Sequence, residues 1–188
     1  MYGTNDFRKG LNILVDDQPY TVVEFQHVKP GKGNQFTRCK IRNLVTGQLL
    51  EKTYKSGEKF GIPDVMYKDM NFLYQDDSGY NFMDPENYDQ VTVNADIVGT
   101  DSNYMTENMK IKVCFFNDRA VGLELPTSVQ LKVTETDPGF KGNTVTNTFK
   151  PAKLETGYSV QVPLHTNVGD TLKIDTRTGE YVERVSIG

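Results

Sequence analysis

Short runs of β-branched, aromatic and alternating residues, each closed by a cluster of Gly, Pro, Asn or Asp, recur from Leu11 to Val185. That rhythm leaves the chain little room to fold except as small β modules. Leu11 to Val15 and Tyr20 to Phe25 form a predicted hairpin over Asp16-Asp17-Gln18-Pro19, and Phe36 to Arg42 and Leu49 to Tyr54 supply further strands. Gly61-Ile62-Pro63-Asp64 combines breakers in a way that marks a boundary. Beyond it, Met70 to Tyr74 and Tyr80 to Met83 flank the turn Gln75 to Gly79, and Ile111 to Phe116 and Ala120 to Leu125 close over Asn117-Asp118-Arg119. Ala95 to Met109 is the one stretch that reads as a short helix. Leu125-Pro126-Thr127 is the second boundary, followed by strands at Val129 to Thr134, Tyr158 to Val162, Leu172 to Ile174 and Tyr181 to Val185. The stretch Lys141 to Thr148 is polar, with Val145 its single core candidate. The expected fold is mainly β, with three small barrels in tandem: 1–64 SH3-like, then 65–126 and 127–188 of the oligonucleotide-binding (OB) type. A module of about 60 residues buries only about 60% of its unfolded surface, so contacts between modules should matter.

Charge is distributed in step with those boundaries. Residues 1–64 carry ten Lys and Arg against seven Asp and Glu, 65–126 carry four against eleven, and 127–188 are balanced at seven each, for a net charge of −4. A protein that coats phosphates along its whole length would not have so acidic a middle. The pattern suits a chain that meets RNA at one end and something else in the middle. Cys39 and Cys114 lack any CxxC or His spacing and read as reduced packing residues. No run approaches the roughly 18–20 apolar residues of a membrane span, so a soluble, cytoplasmic protein is expected.

Enzymatic motifs are absent from the sequence. Gly31-Lys32-Gly33 lacks the Gly five positions before the Lys and the Ser or Thr after it that a phosphate-cradling loop requires; Gln26 and Gly33 stand there. There is no GxSxG, HExxH or GxGxxG, and the only histidines, His27 and His165, fall in different modules, so no metal site, no cofactor and no catalytic residue is expected. Asp76 and Asp77 read as turn residues, because Asp tolerates unusual φ/ψ and hydrogen-bonds locally.

Lys29-Pro30-Gly31-Lys32-Gly33 is a different kind of turn. Pro30 fixes its own φ and biases Lys29 to extended geometry, while Gly31 and Gly33 leave no side-chain bulk beside Lys32. The outcome is a lone ammonium on a slim protrusion, able to probe a narrow polar cavity or to be covalently extended. Next to it, Phe36, Arg38, Lys40 and Arg42 share one strand face by alternation, while Cys39 and Ile41 point inward. One aromatic and three cations there make either an RNA backbone footprint or an ordinary solvated strand face.

Several spaced motifs closely resemble the bacterial translation elongation factor P family: Lys29 to Asn34, Tyr80 to Asp84, Leu123 to Pro126, Glu135 to Gly139, Lys150 to Ala152, Val160 to Pro163 and Thr176 to Tyr181. The resemblance covers the whole chain. It implies an L-shaped, monomeric protein of tRNA-like outline that enters the ribosome beside peptidyl-tRNA and relieves stalls at consecutive prolines. It implies that Lys32 points at the tRNA's CCA end, carries a modification added by a separate enzyme, and is shaped by Pro30, Gly31 and Gly33. RNA contacts are then expected from Lys29, Asn34, Arg38, Lys40, Arg42, Tyr181 and Arg184. Gly142-Asn143-Thr144 falls where the family has its exit-site codon loop, often Gly-Asp-Thr; Asn143 keeps an acceptor and adds a donor. Leu164 to Asn167 departs from the family's more apolar run. The rival reading is a free single-stranded RNA-binding or RNA-chaperone protein, which predicts aromatic stacking platforms and tight binding to naked strands.

Overall fold

The computed structural model describes residues 1–138 and 148–188. The chain divides into two compact units, Met1–Lys68 with Val113–Gly122, and Asp69–Lys112 with Leu123–Gly188.

In the first unit, strands β2 (Asn12–Val15), β3 (Gln18–Val28), β4 (Phe36–Asn43) and β5 (Leu49–Lys55) form an antiparallel sheet in that order. A two-stranded pair, β1 (Tyr2–Gly3) with β6 (Lys59–Phe60), accompanies it. The β2–β3 turn is only Asp16-Asp17, both left-handed at φ 51° and 62°, so that Gln18 and Pro19 already pair with Val15 and Leu14. A two-residue turn with both φ positive matches the right-handed twist of the strands, which is why it is tighter than the four-residue turn that composition predicts. Ile13, Val22 and Ile41 are fully buried, and Phe60 closes the core with Phe7 and Tyr54 at ring separations of 5.5 and 4.8 Å. Cys39 and Cys114 are free and buried, and burial pushes the Cys39 thiol up to about 11.

Strands β7 (Val65–Asp76), β8 (Gly79–Met83), β9 (Gln90–Val93), β10 (Lys110–Phe116) and β11 (Arg119–Glu124) make a five-stranded sheet ordered β9-β8-β7-β10-β11. Strands β12 (Ser128–Thr136), β13 (Phe149–Leu154), β14 (Ser159–Pro163), β15 (Thr171–Asp175) and β16 (Tyr181–Ser186) repeat the same order as β14-β13-β12-β15-β16. Each set therefore has third, second, first, fourth, fifth strand side by side, the five-stranded Greek-key arrangement of an OB barrel. In both, the register of the first strand slips, between Phe72 and Tyr74 in β7 and between Val133 and Glu135 in β12. At that slip β12 changes partner: Ser128 to Lys132 pair with β15, and Val133 onward with β13. A bulged strand that serves two neighbours is how a small sheet turns its corner.

The helix expected over Ala95 to Met109 is shorter. Helix α1 (Ala95–Val98) begins at Asn94, whose side chain accepts the Asp96 N–H at 2.8 Å, and gives way to a 3-10 turn over Gly99–Tyr104. Gly99 sits at φ 54°, outside helical space, and the Thr-Asp-Ser-Asn run after it prefers turns. That turn delivers Tyr104 into the core formed by Val129, Leu131, Leu154 and Ile174 of the last barrel. The Tyr104 and Tyr158 rings meet edge-on at 5.5 Å, Tyr158 Oη–H donates to the Gly179 carbonyl at 2.8 Å, and Thr156 Oγ1 donates to the Asn103 carbonyl at 2.6 Å. Strands β9 and β13 escape sequence patterning. Strand β13 does so because its inward positions are Lys150, Ala152 and Leu154, a charge in place of the first apolar residue, with Pro151 between.

Candidate functional site

Strands β3 and β4 pair out to Val28 opposite Phe36, which leaves Lys29 to Gln35 as the unpaired tip of a long hairpin. Their register slips at Val23, and past the slip the hairpin continues beyond the pair formed by half-buried Phe25 and buried Cys39. Three further residues to Val28 carry the tip about 10 Å outward at the rise of an extended strand. The extension is held by packing and polar contacts. His27 Nδ1 and Thr37 Oγ1 lie 2.9 Å apart, Thr37 is wholly buried, and the Phe25 and His27 rings meet at 5.5 Å. Tyr54, opposite Thr37 on β5, is pushed up to about 12, by burial first and then by Cys39, Glu58, Asp16 and Tyr20. An inward Thr37 is visible in the alternation of the sequence; its cross-strand partner His27 is not.

At the tip, Lys29, Gly31, Lys32, Gly33 and Asn34 are exposed and Pro30 is half-buried. Gly33 is left-handed at φ 116°, and a Cβ on Gly31 or Gly33 would meet nothing within 4 Å. Gly33 is thus required by backbone conformation, whereas Gly31 keeps the tip slim. Among the described residues Lys32 makes no ion pair and no side-chain hydrogen bond. Its ammonium is free to reach outward.

On the outer face of β4, Arg38 and Arg42 are exposed and without ion pairs among the described residues. Lys40, between them, has Nζ 3.7 Å from Glu24 Oε2 and 3.8 Å from Glu51 Oε1. The three cations predicted for this face are on it, but the central one stands between two carboxylates.

Residues predicted in the last barrel are bound into it. Tyr181 is half-buried against the core and lines, with Phe149 and Tyr158, a groove of about 480 Å³. Arg184 Nη1 lies 3.4 Å from Oδ2 of the fully buried Asp170, which also accepts the N–H groups of Asn167 at 3.0 Å and Gly188 at 3.1 Å. Burial pushes the Asp170 carboxyl up, but these donors and the guanidinium charge outweigh it and hold the carboxyl below its ordinary range. Gly142, Asn143 and Thr144, like Val145, lie outside the described residues. The stretch Leu164 to Asn167 packs in part. Thr166 is fully buried, and its carbonyl accepts Lys150 Nζ at 2.6 Å, while the same ammonium also bonds the Asp137 carbonyl. A buried Lys150 is legible only in retrospect, as the polar member of the Lys150, Ala152, Leu154 alternation.

Among the described residues, no three His, Cys, Asp or Glu side chains gather as a metal site would require. Asp76 accepts the Ser78 N–H at 2.9 Å and its hydroxyl at 2.7 Å, and the hydroxyl hydrogen bond is the largest influence lowering its carboxyl. It shapes the β7–β8 turn. No helix among the described residues is long and apolar enough to cross a membrane.

An exposed lysine loop on a first β-barrel, followed in the chain by two OB-type barrels, is an architecture that comparison with known proteins places among the translation elongation factors. Family models match in chain order: the elongation factor P KOW-like domain over residues 3–60, the elongation factor P OB domain over 65–123, and the elongation factor P C-terminal domain over 129–184. Elongation factor P of Bdellovibrio bacteriovorus is 58% identical over 186 residues, covering 99% of each chain. That of Pelotomaculum thermopropionicum is 52% identical over 185 residues, covering 98% of this chain and 100% of its own. The chain belongs to the elongation factor P family. Among solved structures, translation initiation factor 5A from Methanococcus jannaschii aligns over 65% of this chain and 91% of its own, at 17% identity and a TM-score of 0.47.

Proposed function

We propose that this factor binds the ribosome beside peptidyl-tRNA and promotes peptide-bond formation at stalled polyproline sequences, by restraining the tRNA's CCA end through a modified Lys32. Proline's ring locks φ, making it a conformationally restricted partner in the ribosome's reaction. A rigid finger laid against the tRNA end lowers the entropy cost of reaching productive geometry without transferring a proton itself, so the factor is not an enzyme. The observation that carries this reading is the state of Lys32: exposed, without an ion pair or side-chain hydrogen bond among the described residues, on a tip held out by a paired hairpin. Such a side chain is accessible to a separate modifying enzyme, and an added group would lengthen its reach. Lys29 and Asn34 flank Lys32 on the tip, and Arg38 and Arg42 lie further along the outer face of β4, all of them groups suited to RNA phosphates and sugars. The factor acts as a cytoplasmic monomer, and Tyr181 and the codon loop at Gly142 to Thr144 also meet the ribosome.

Lys32→Ala tests the reading. Ribosomal synthesis through Pro-Pro-Pro should lose its rescue while thermal unfolding stays within about 0.5 kcal/mol, because the tip is exposed. Undiminished rescue by a folded Lys32→Ala variant would sink it. Intact-mass analysis of protein from its native host should show added mass on the Lys32 peptide.

A further inference from the structure

Cross-strand register arranges the outer face of β3, β4 and β5 in four rows. Val28, Phe36 and Lys55 form the first, Gln26, Arg38 and Thr53 the second, Glu24, Lys40 and Glu51 the third, and Thr21, Arg42 and Leu49 the fourth. We propose that the third row is a charge break, which confines RNA contact on this face to two separated phosphates at Arg38 and Arg42 and prevents the face from holding a continuous single strand. The inference rests on the reading of this face as an RNA contact.

The row sets two carboxylates against one ammonium, with Lys40 Nζ within 3.7 and 3.8 Å of them. All three side chains are well exposed, at 40%, 61% and 73%. Pairs so exposed contribute only about 0–1 kcal/mol, so fold stability does not account for them. Their effect is on a ligand. A phosphate brought to Lys40 meets a net negative row, whereas one at Arg38 or Arg42 meets a guanidinium that has no ion pair among the described residues. The two arginines stand four residues apart on one strand, about 13 Å at the usual rise. That exceeds the Debye length of about 8 Å at physiological salt, so they act as independent contacts and do not merge into one cationic track. A folded RNA whose phosphates rise to both points fits this face; a naked strand laid along β4 must cross the repulsive row. Interrupting the face in this way keeps a factor that works on one ribosomal site from being titrated by free RNA.

The test is a salt titration of the full chain binding a short fluorescent oligouridylate, read by anisotropy. Each cation engaged on a single strand adds about 0.7 to the slope of log K against log salt. Glu24→Gln/Glu51→Gln should bind tighter with a slope steeper by about 0.7, and Lys40→Ala should reverse that gain in this background while leaving the slope of the parent unchanged. Arg38→Ala and Arg42→Ala should each lower the parent slope. If Lys40→Ala lowers the parent slope, or if the double Gln variant gains nothing while the arginine variants lose, the charge break is overturned and the RNA-contact reading stands. If the arginine variants also leave the slope unchanged, the RNA-contact reading of this face fails with it. Matching melting curves for all variants keep misfolding out of the comparison.

Discussion

Two glycines in the last barrel offer a controlled measurement of the joint that Tyr104 makes with it. Gly157 and Gly179 are both left-handed, at φ 90° and 78°. A Cβ on Gly157 would meet nothing within 4 Å, whereas one on Gly179 would stand 2.5 Å from Tyr158 Oη and 2.9 Å from Tyr104 Oη. Alanine at either site incurs left-handed strain of about 1–2 kcal/mol. Both variants also gain the same reduction in unfolded-chain entropy, about 0.4–1 kcal/mol, which cancels in the comparison. Gly179→Ala adds two further terms. Tyr158 must swing off the Gly179 carbonyl, losing a hydrogen bond of about 1 kcal/mol, and Tyr104, only 7% exposed, must repack, at about 1–3 kcal/mol for an overfilled core. Gly179→Ala should therefore be less stable than Gly157→Ala by about 2–4 kcal/mol. The chain has no Trp, so tyrosine fluorescence reports urea unfolding without a competing signal. Tyr158→Phe supplies a cycle: its cost alone, about 1 kcal/mol, should shrink in the Gly179→Ala background, where the hydrogen bond is already broken. Equal urea midpoints for the two alanine variants would refute the claim that close packing of two tyrosines, and not backbone conformation alone, makes Gly179 necessary.

Two further outcomes follow from buried polar groups. Asp170 has a folded pKa below its unfolded one, so the stability it contributes is complete above about pH 4 and is lost as pH falls through the lower folded value. Asp170→Asn should lower the urea midpoint at pH 7 by the equivalent of about 1–3 kcal/mol yet flatten its decline below about pH 4; an unchanged acid limb would show that Arg184 and the two backbone donors do not hold this carboxylate. Asn43, 3% exposed, accepts the N–H groups of Val45 at 2.8 Å and Thr46 at 3.1 Å and donates to Gln18, pinning the β4–β5 turn to β3. Asn43→Ala should destabilise the first unit by about 2 kcal/mol in urea titration, and a loss below about 0.5 kcal/mol would mean that water replaces these bonds without penalty.

Local chemistry was readable along the chain. The turns beginning at Asp16 and Asn117 announce themselves because short polar side chains tolerate positive φ, although both are tighter than expected: only Asp16-Asp17 and Asn117-Asp118 turn, all four left-handed, and Gln18 and Arg119 already begin strands. The alternation from Phe36 to Arg42 assigns each side chain to a face, since strand geometry repeats every second residue regardless of what lies opposite. Pro30 and Gly33 describe the Lys32 tip by their backbone dihedrals, and Gly31 by its lack of a side chain. What lies opposite is another matter. Nothing near Lys40 in sequence indicates Glu24 and Glu51; their approach depends on the register of three strands and on the slip at Val23. Nor does the segment from Ala95 reveal that Tyr104 completes a later barrel's core, or the pattern around Arg184 that a buried Asp170 claims it. Turn and face preferences are properties of a few consecutive residues, so the amino-acid sequence by itself determined the turns, the strand faces and the exposed lysine. Which charges are neutralised and which remain free is a property of distances between segments remote along the chain, and only the tertiary structure decided it.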